Sequence, residues 1–278
     1  MPFEVSFDDR GAVITSDIDI AKTLDCGQAF RFSESDGIWR GVAMGRAITL
    51  TQEGNKITLF DVDEEEFNSL WRGYFDLDRD YEMIKSSVSS NEILKKATDF
   101  SDGIHILRQE PWEAVCSFII SANNNIPRIK GIISRLCENF GKQVADGLFT
   151  FPSAERIAAL TLDDLAVIKS GFRAKYILDA AQKFSRNQID VEALYTLSID
   201  EARNALMTIK GIGPKVADCA LLFGWGRVEC FPVDVWIRRA MNHFFGENGL
   251  PSEAVEYAGI VQQYLFTGRE QRGLRLND

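Results

Sequence analysis

The stretch Thr208-Ile209-Lys210-Gly211-Ile212-Gly213-Pro214-Lys215-Val216-Ala217-Asp218-Cys219 allows few local structures. Gly211 and Gly213 bracket a tight turn that approaches another backbone without Cβ interference, and Pro214 stands where the first residue of a helix needs no N–H. A helix is therefore predicted to begin at about Pro214, with another over Ile199 to Ile209 ahead of the turn. The unpaired N–H groups and positive end of the second helix would face the glycine turn, an arrangement suited to holding a phosphate. Helix, glycine hairpin and helix in that order have the shape of a clamp on a nucleic-acid backbone.

Lys215 falls in the first turn of the second helix, where the dipole disfavours an ammonium and burial would push its pKa the same way. A lysine so placed can serve as a nucleophile, and equally as a phosphate contact. Nineteen positions on, Asp234 follows Pro232-Val233 and precedes the apolar-periodic run Val235-Trp236-Ile237-Arg238-Arg239-Ala240-Met241. As an N-cap it would accept backbone N–H groups and stay ionised, so it could stabilise a developing cation. Capping and catalysis are compatible roles. A neutral amine beside a fixed carboxylate is suited to displacing a base from a sugar.

A net charge of −10 over 278 residues argues against a generally basic coat, so a nucleic-acid face must be local. Its candidates are Arg128, Lys130, Arg173, Lys175, Lys210 and Lys215, while much of the acidity gathers at Asp61 to Glu66 and near Asp163-Asp164. At 45% hydrophobic and 11% aromatic residues, the chain can bury a substantial core as one unit of two or three lobes. Cys26, Cys116, Cys137, Cys219 and Cys230 are odd in number, without framework spacing, which suits a reducing compartment. With no C-x-x-C pair and only His105 and His243, no zinc site is expected. The start Met1-Pro2-Phe3-Glu4-Val5 carries no signal-peptide pattern, and no uncharged run reaches the ~18 apolar residues of a span. The expectation is a soluble, cytoplasmic protein with no membrane partner.

From Phe3 to about Val62 the pattern is β-like. Ala29 to Phe32, Ile38 to Val42 and Ile57 to Phe60 read as strands, with turns at Asp9-Arg10-Gly11, Asp36-Gly37 and Glu53-Gly54-Asn55. A short helix over Asp17 to Leu24, with Ser16 as its cap, interrupts them. Beyond Asp63 the period turns helical: 64–75, 81–88, 91–100, 111–121, 126–140, 154–160, 162–169, 173–186, 199–209, 214–223, 235–245 and 252–267. The fold class is α+β, an N-terminal antiparallel sheet lobe with flanking helices (1–100) followed by a helical body containing the hairpin (101–278).

The order of hairpin, Lys215, Val216-Ala217-Asp218-Cys219 and Pro232-Val233-Asp234-Val235 resembles the helix-hairpin-helix DNA glycosylases, and within them the 8-oxoguanine branch. Further words of that branch stand at Cys26-Gly27-Gln28-Ala29-Phe30-Arg31, Ser121 to Arg128, Gly171 to Tyr176 and Tyr257 to Gln262, so the resemblance covers most of the chain. It implies a bifunctional DNA glycosylase/AP lyase of base-excision repair, in which Lys215 attacks C1′ while Asp234 stabilises positive charge there. The flipped base would lie between Cys219 and Phe266, with Gln262 reading its Watson–Crick edge. Read alone, Cys219 and Phe266 also fit helix packing, and Gln262 fits a solvent-facing position.

The Gly27 carbonyl would take the N7–H of 8-oxoguanine; normal guanine presents an acceptor there, a mismatch that buried sites reject. By the same resemblance Asn123 fills the gap left in the duplex, Phe172 wedges the opposite strand, Arg128 and Arg173 contact the estranged cytosine, and Gly211 and Gly213 hold the backbone. Phe172 stands where the family often has tyrosine, and Trp236 where it often has histidine. The implied partner is double-stranded DNA with oxidised guanine opposite cytosine, bound by a monomer. No cofactor is required, although hairpins of this kind can hold a monovalent cation through carbonyls, and the iron–sulfur cluster of some relatives lacks its four clustered cysteines. An alkyl-base glycosylase would use the aspartate without a lysine nucleophile, and a non-catalytic hairpin protein would need neither Lys215 with Asp234 nor Gly27 and Gln262.

Overall fold

A computed structural model describes residues 2–270 and Leu274, and it has the α+β architecture, a six-stranded sheet ahead of a helical body. Strands β1 (Phe3–Asp8), β2 (Gly11–Ser16), β3 (Phe32–Ser35), β4 (Ile38–Ala43), β5 (Arg46–Glu53) and β6 (Lys56–Phe60) lie antiparallel in the order β1-β2-β6-β5-β4-β3. Their period of two sets the buried face: Ala12 and Ile14, Ile48 and Leu50, and Ile57 and Leu59 all point into one core. The three expected turns are present, and Asp36 and Gly37 both have positive φ, as a two-residue hairpin with the twist of its strands demands. Ala29 to Arg31 precede β3 instead of belonging to it.

Helix α1 (Ile20–Asp25) starts later than expected. Ser16 is still in the sheet, its N–H on the Asn55 carbonyl, and the cap is Asp19, whose carboxylate accepts the Lys22 N–H at 2.9 Å. Residues 64–74 are not one regular helix: α2 (Glu64–Glu66) and α3 (Arg72–Tyr74) are joined by a π turn, Phe67–Trp71. That widened turn lays Phe67, Trp71, Tyr74 and Phe75 together on the sheet core.

The remaining helices are α4 (Tyr81–Val88), α5 (Glu92–Phe100), α6 (Pro111–Ser121), α7 (Ile126–Phe140), α8 (Ala154–Ala158), α9 (Ala174–Ser185), α10 (Ile199–Met207), α11 (Pro214–Trp225), α12 (Val235–Phe244) and α13 (Ala258–Glu270). Residues 162–169 form a 3-10 turn, Asp164–Ile168, stopped by Lys169 in the left-handed region. The expected helix 252–267 is two elements, a 3-10 turn at Ser252–Ala254 and then α13. A Cβ on Gly259, the second residue of α13, would lie 2.5 Å from Leu222 and 2.7 Å from the Cys230 carbonyl, so the helix passes this contact only on a glycine. An unanticipated hairpin, β7 (Gln143–Ala145) and β8 (Leu148–Phe149), is too short and too exposed to leave an alternating signature.

Two cores result. One lies under the sheet and ends at Leu77 and Leu107; the other fills the body and includes Cys26, Phe30, Tyr81, Ile84, Val88, Leu94 and Ala97 from the N-terminal part of the chain. Through Cys26 and Phe30 the sheet lobe reaches the face of the body where α6, α11 and α13 meet.

Candidate active site

Gly211 takes φ +85, and a Cβ there would lie 2.4 to 2.8 Å from the Tyr176 ring, so the hairpin turn fits only as glycine. Gly213 is the extended N-cap of α11 with no side-chain cap, and Pro214 follows in the first turn, as the sequence indicates. Lys215 leaves this first turn and runs beneath α6, its Nζ 5.9 Å from the centre of the Phe118 ring. One helical turn on, Cys219 is buried; burial pushes its thiol up, while the charge and hydrogen bond of Lys215 pull it down. Asp234 also acts on this thiol, and raises it. Cys219 thus stands within the electrostatic reach of both Lys215 and Asp234.

Asp234 is the N-cap of α12: its Oδ1 accepts the Ile237 N–H at 2.7 Å. The bond fixes the carboxylate at the helix start, with the helix's positive end beside it.

Gly27 comes from the connection between α1 and β3. Its φ is +86, yet a Cβ there would meet only Ile126 at 3.9 Å and Phe266 at 4.0 Å. Glycine is required by the backbone, not by crowding. From α13, Gln262 and Phe266 share a face one turn apart, with Gln262 6% exposed and therefore not solvent-facing.

These groups meet in one cavity of about 960 Å³. Gly27, Asn123, Lys215, Cys219, Asp234, Gln262 and Phe266 all line it, although they come from the α1–β3 connection, the α6–α7 turn, α11, α12 and α13. Phe30, Phe118 and Phe223 supply apolar wall. The lining suits a flat, polar-edged ring, with aromatic and thiol surface for its faces and amide and backbone groups for its edges.

The other candidates lie outside this cavity. Phe172 is 58% exposed, packed edge-on to Tyr176 at 5.9 Å, and with Arg128, Lys169 and Lys175 it borders a separate depression of about 550 Å³. Arg173 is turned inward: it is 3% exposed and donates through Nη2 to the Ala122 carbonyl at 2.6 Å and the Asn123 carbonyl at 3.0 Å. It therefore braces the turn on which Asn123 sits at φ +50. Of the remaining basic candidates, Lys130 pairs with Asp25 at 2.8 Å and Lys210 with Asp179 at 3.3 Å.

Three glutamines were not singled out by the sequence. Gln28 donates to the Thr23 and His105 carbonyls and accepts the Leu107 N–H; Gln109 donates to the Gln28 carbonyl at 2.7 Å; Gln263 donates to the Cys26 carbonyl at 3.2 Å. The one available signal was a pair of adjacent glutamines inside the otherwise apolar run of α13.

Among the described residues, no group of three or more His, Cys, Asp or Glu could hold a metal ion, and no helix is long and apolar enough to cross a membrane.

The chain is similar to known proteins over nearly its whole length. Residues 12–115 match the model of the 8-oxoguanine DNA glycosylase N-terminal domain, and residues 116–259 match that of the HhH-GPD superfamily of base excision DNA repair proteins. An N-glycosylase/DNA lyase of Saccharomyces cerevisiae is 31% identical over 259 residues, covering 82% of this chain and 68% of the yeast protein. The solved structure of MBOgg1 with a low affinity DNA ligand superposes with a TM-score of 0.90 at 39% identity, covering 98% of this chain and 100% of that one. The 8-oxoguanine glycosylase/lyase of Clostridium acetobutylicum, solved with double-stranded DNA containing cytosine opposite 8-oxoG, gives 0.90 at 33% identity over 98% and 100% of the two chains. With the hairpin, the lysine and the spaced aspartate in place, the chain belongs to the HhH-GPD superfamily of base excision DNA repair proteins, in the branch that carries the 8-oxoguanine DNA glycosylase N-terminal domain.

Proposed function

We propose that this chain is a bifunctional DNA glycosylase/AP lyase that removes 8-oxoguanine from duplex DNA. The observation that carries the reading is the convergence of Lys215 and Asp234 with Gly27, Cys219, Gln262 and Phe266 on one cavity. The hairpin at Gly211 and Gly213 holds the backbone, Phe172 enters the opposite strand, and Asn123 occupies the space of the extruded nucleotide. Cys219 and Phe266 cover the two faces of the base, while Gln262 and the Gly27 carbonyl read its edges. The sheet lobe, 1–100, supplies Gly27, and the body, 101–278, supplies the rest.

In the chemistry, the deprotonated Lys215 amine forms a bond to C1′ as the C1′–N9 bond breaks, and the base leaves with that electron pair. Asp234 stabilises the positive charge that develops at C1′. Opening of the sugar ring gives a protonated Schiff base, which acidifies the C2′ proton; its loss expels the 3′ phosphate and nicks the strand. An alkyl-base glycosylase has no use for a lysine at position 215, and a passive hairpin protein has none for the cavity.

The partner is double-stranded DNA with the lesion opposite cytosine, taken by a monomer inside the cell, with Arg128 and Arg173 on the side of the estranged base. A monovalent cation on the hairpin carbonyls belongs to the same reading, and no step of the chemistry passes through it. The reading is tested by single-turnover assays on duplexes with one 8-oxoguanine opposite each of the four bases. Base release with strand nicking, fastest opposite cytosine, supports it; no release from any duplex refutes it.

A further inference from the structure

A glycine at φ +86 has few steric limits on either dihedral, so nothing in Gly27 itself decides where its carbonyl stands. Its neighbours do. The Cys26 carbonyl, one peptide before, accepts Nε2 of Gln263 at 3.2 Å; the Gln28 carbonyl, one residue after, accepts Nε2 of Gln109 at 2.7 Å. The Gln28 side chain is itself held by Thr23, His105 and Leu107. Among the described residues, no hydrogen bond involves the Gly27 carbonyl between them.

Gln263 differs from the other two anchors in where it comes from. Gln28 and Gln109 tie Gly27 to its own lobe and to the segment before α6, whereas Gln263, bonded to Cys26 across 237 residues of sequence, ties it to α13. It is 4% exposed, lines the cavity, and directly follows Gln262 on the helix that also carries Phe266. One buried amide therefore fixes the distance between the group that reads one edge of a bound base and the helix that presents the groups for its other edge and its face.

We propose that Gln263 is a positioning residue for lesion discrimination, holding the Gly27 carbonyl in register with Gln262 and Phe266 through the Cys26 carbonyl. This rests on the reading of Gly27 as the acceptor of N7–H. A hydrogen bond of this kind is worth roughly threefold to tenfold where the geometry it enforces is used. Gln263 touches no reacting atom, so its loss changes the choice of base and not the attack at C1′.

The test uses the full chain with Gln263→Leu and Gln263→Met, which remove the donor and keep most of the volume. Single-turnover excision is measured on 8-oxoguanine and on its analogue with carbon, lacking a comparable donor, in place of N7. The wild type should prefer 8-oxoguanine. Both variants should lose roughly threefold to tenfold on 8-oxoguanine and less than twofold on the analogue, so that the preference narrows, while affinity for a duplex with an abasic site stays constant. A wild-type preference that both variants keep in full, or a fall equal for the two bases, overturns the role of Gln263. A wild type with no preference removes the Gly27 reading, and this inference with it.

Discussion

Asp234 accepts the Ile237 N–H at 2.7 Å, so the carboxylate assigned to charge stabilisation is also the cap of the helix that follows it. The two roles separate by substitution. Asparagine caps as well as aspartate and carries no charge. Asp234→Asn should therefore keep the wild-type melting temperature and lose base release by about two orders of magnitude or more, as when a fixed transition-state partner is removed. Asp234→Ala should lose the cap as well, about 1 kcal/mol of stability. Single-turnover rates and thermal melts on the two variants check this; an unchanged rate in Asp234→Asn would reduce the residue to a cap.

Gly27 and Gly211 make opposite predictions although both have positive φ. Alanine at Gly27 meets nothing closer than 3.9 Å, so its cost is the left-handed backbone, about 1–2 kcal/mol, and a displaced carbonyl. Lesion excision should fall while affinity for undamaged duplex stays near wild type. Alanine at Gly211 would drive a methyl to 2.4 Å from the Tyr176 ring and must deform the hairpin. Affinity should then fall alike for damaged and undamaged duplexes, as measured by equilibrium titration; a loss confined to damaged DNA would contradict the backbone role.

Arg173 is both a brace and a candidate reader of the opposite base. Arg173→Ala strips the Ala122 and Asn123 carbonyls of their donor, and should cost about 1–3 kcal/mol of stability as well as preference for cytosine. Arg128→Ala, on the rim of the outer depression, should weaken the preference with little change in melting. Retention of both stability and preference in Arg173→Ala would remove both roles.

Much of this was legible because it rests on local rules. Pro111 and Pro214 mark helix starts, the glycine pair marks the hairpin, and helix periodicity carries the body. The departures come from tertiary contacts that no local rule contains. Ser16 reads as a cap, but it is held in the sheet lobe by the Asn55 carbonyl and Asp19 caps α1 instead, and α13 passes Leu222 and the Cys230 carbonyl only because residue 259 is glycine. The site divides the same way: Lys215, Asp234 and Gln262 stand in recognisable words, while the inward turn of Arg173 and the bond from Gln263 to Cys26 exist only once distant segments are packed.

The chain carries −10 overall, and Lys130 and Lys210 are already paired with Asp25 and Asp179. Binding to a lesion duplex should nevertheless weaken steeply with salt, because release of counterions depends on the phosphates contacted and not on the total charge of the protein. Affinity measured across a salt series checks this, and a flat dependence would contradict the clamp.

The central claim is that Lys215 forms a covalent bond to the sugar, and borohydride trapping on duplex containing 8-oxoguanine reads that bond directly. The wild type should yield a reduced protein–DNA adduct. Lys215→Gln should bind the same duplex and lose the adduct by about three orders of magnitude or more, as expected for a missing nucleophile. Trapping at the wild-type level in Lys215→Gln would contradict the account.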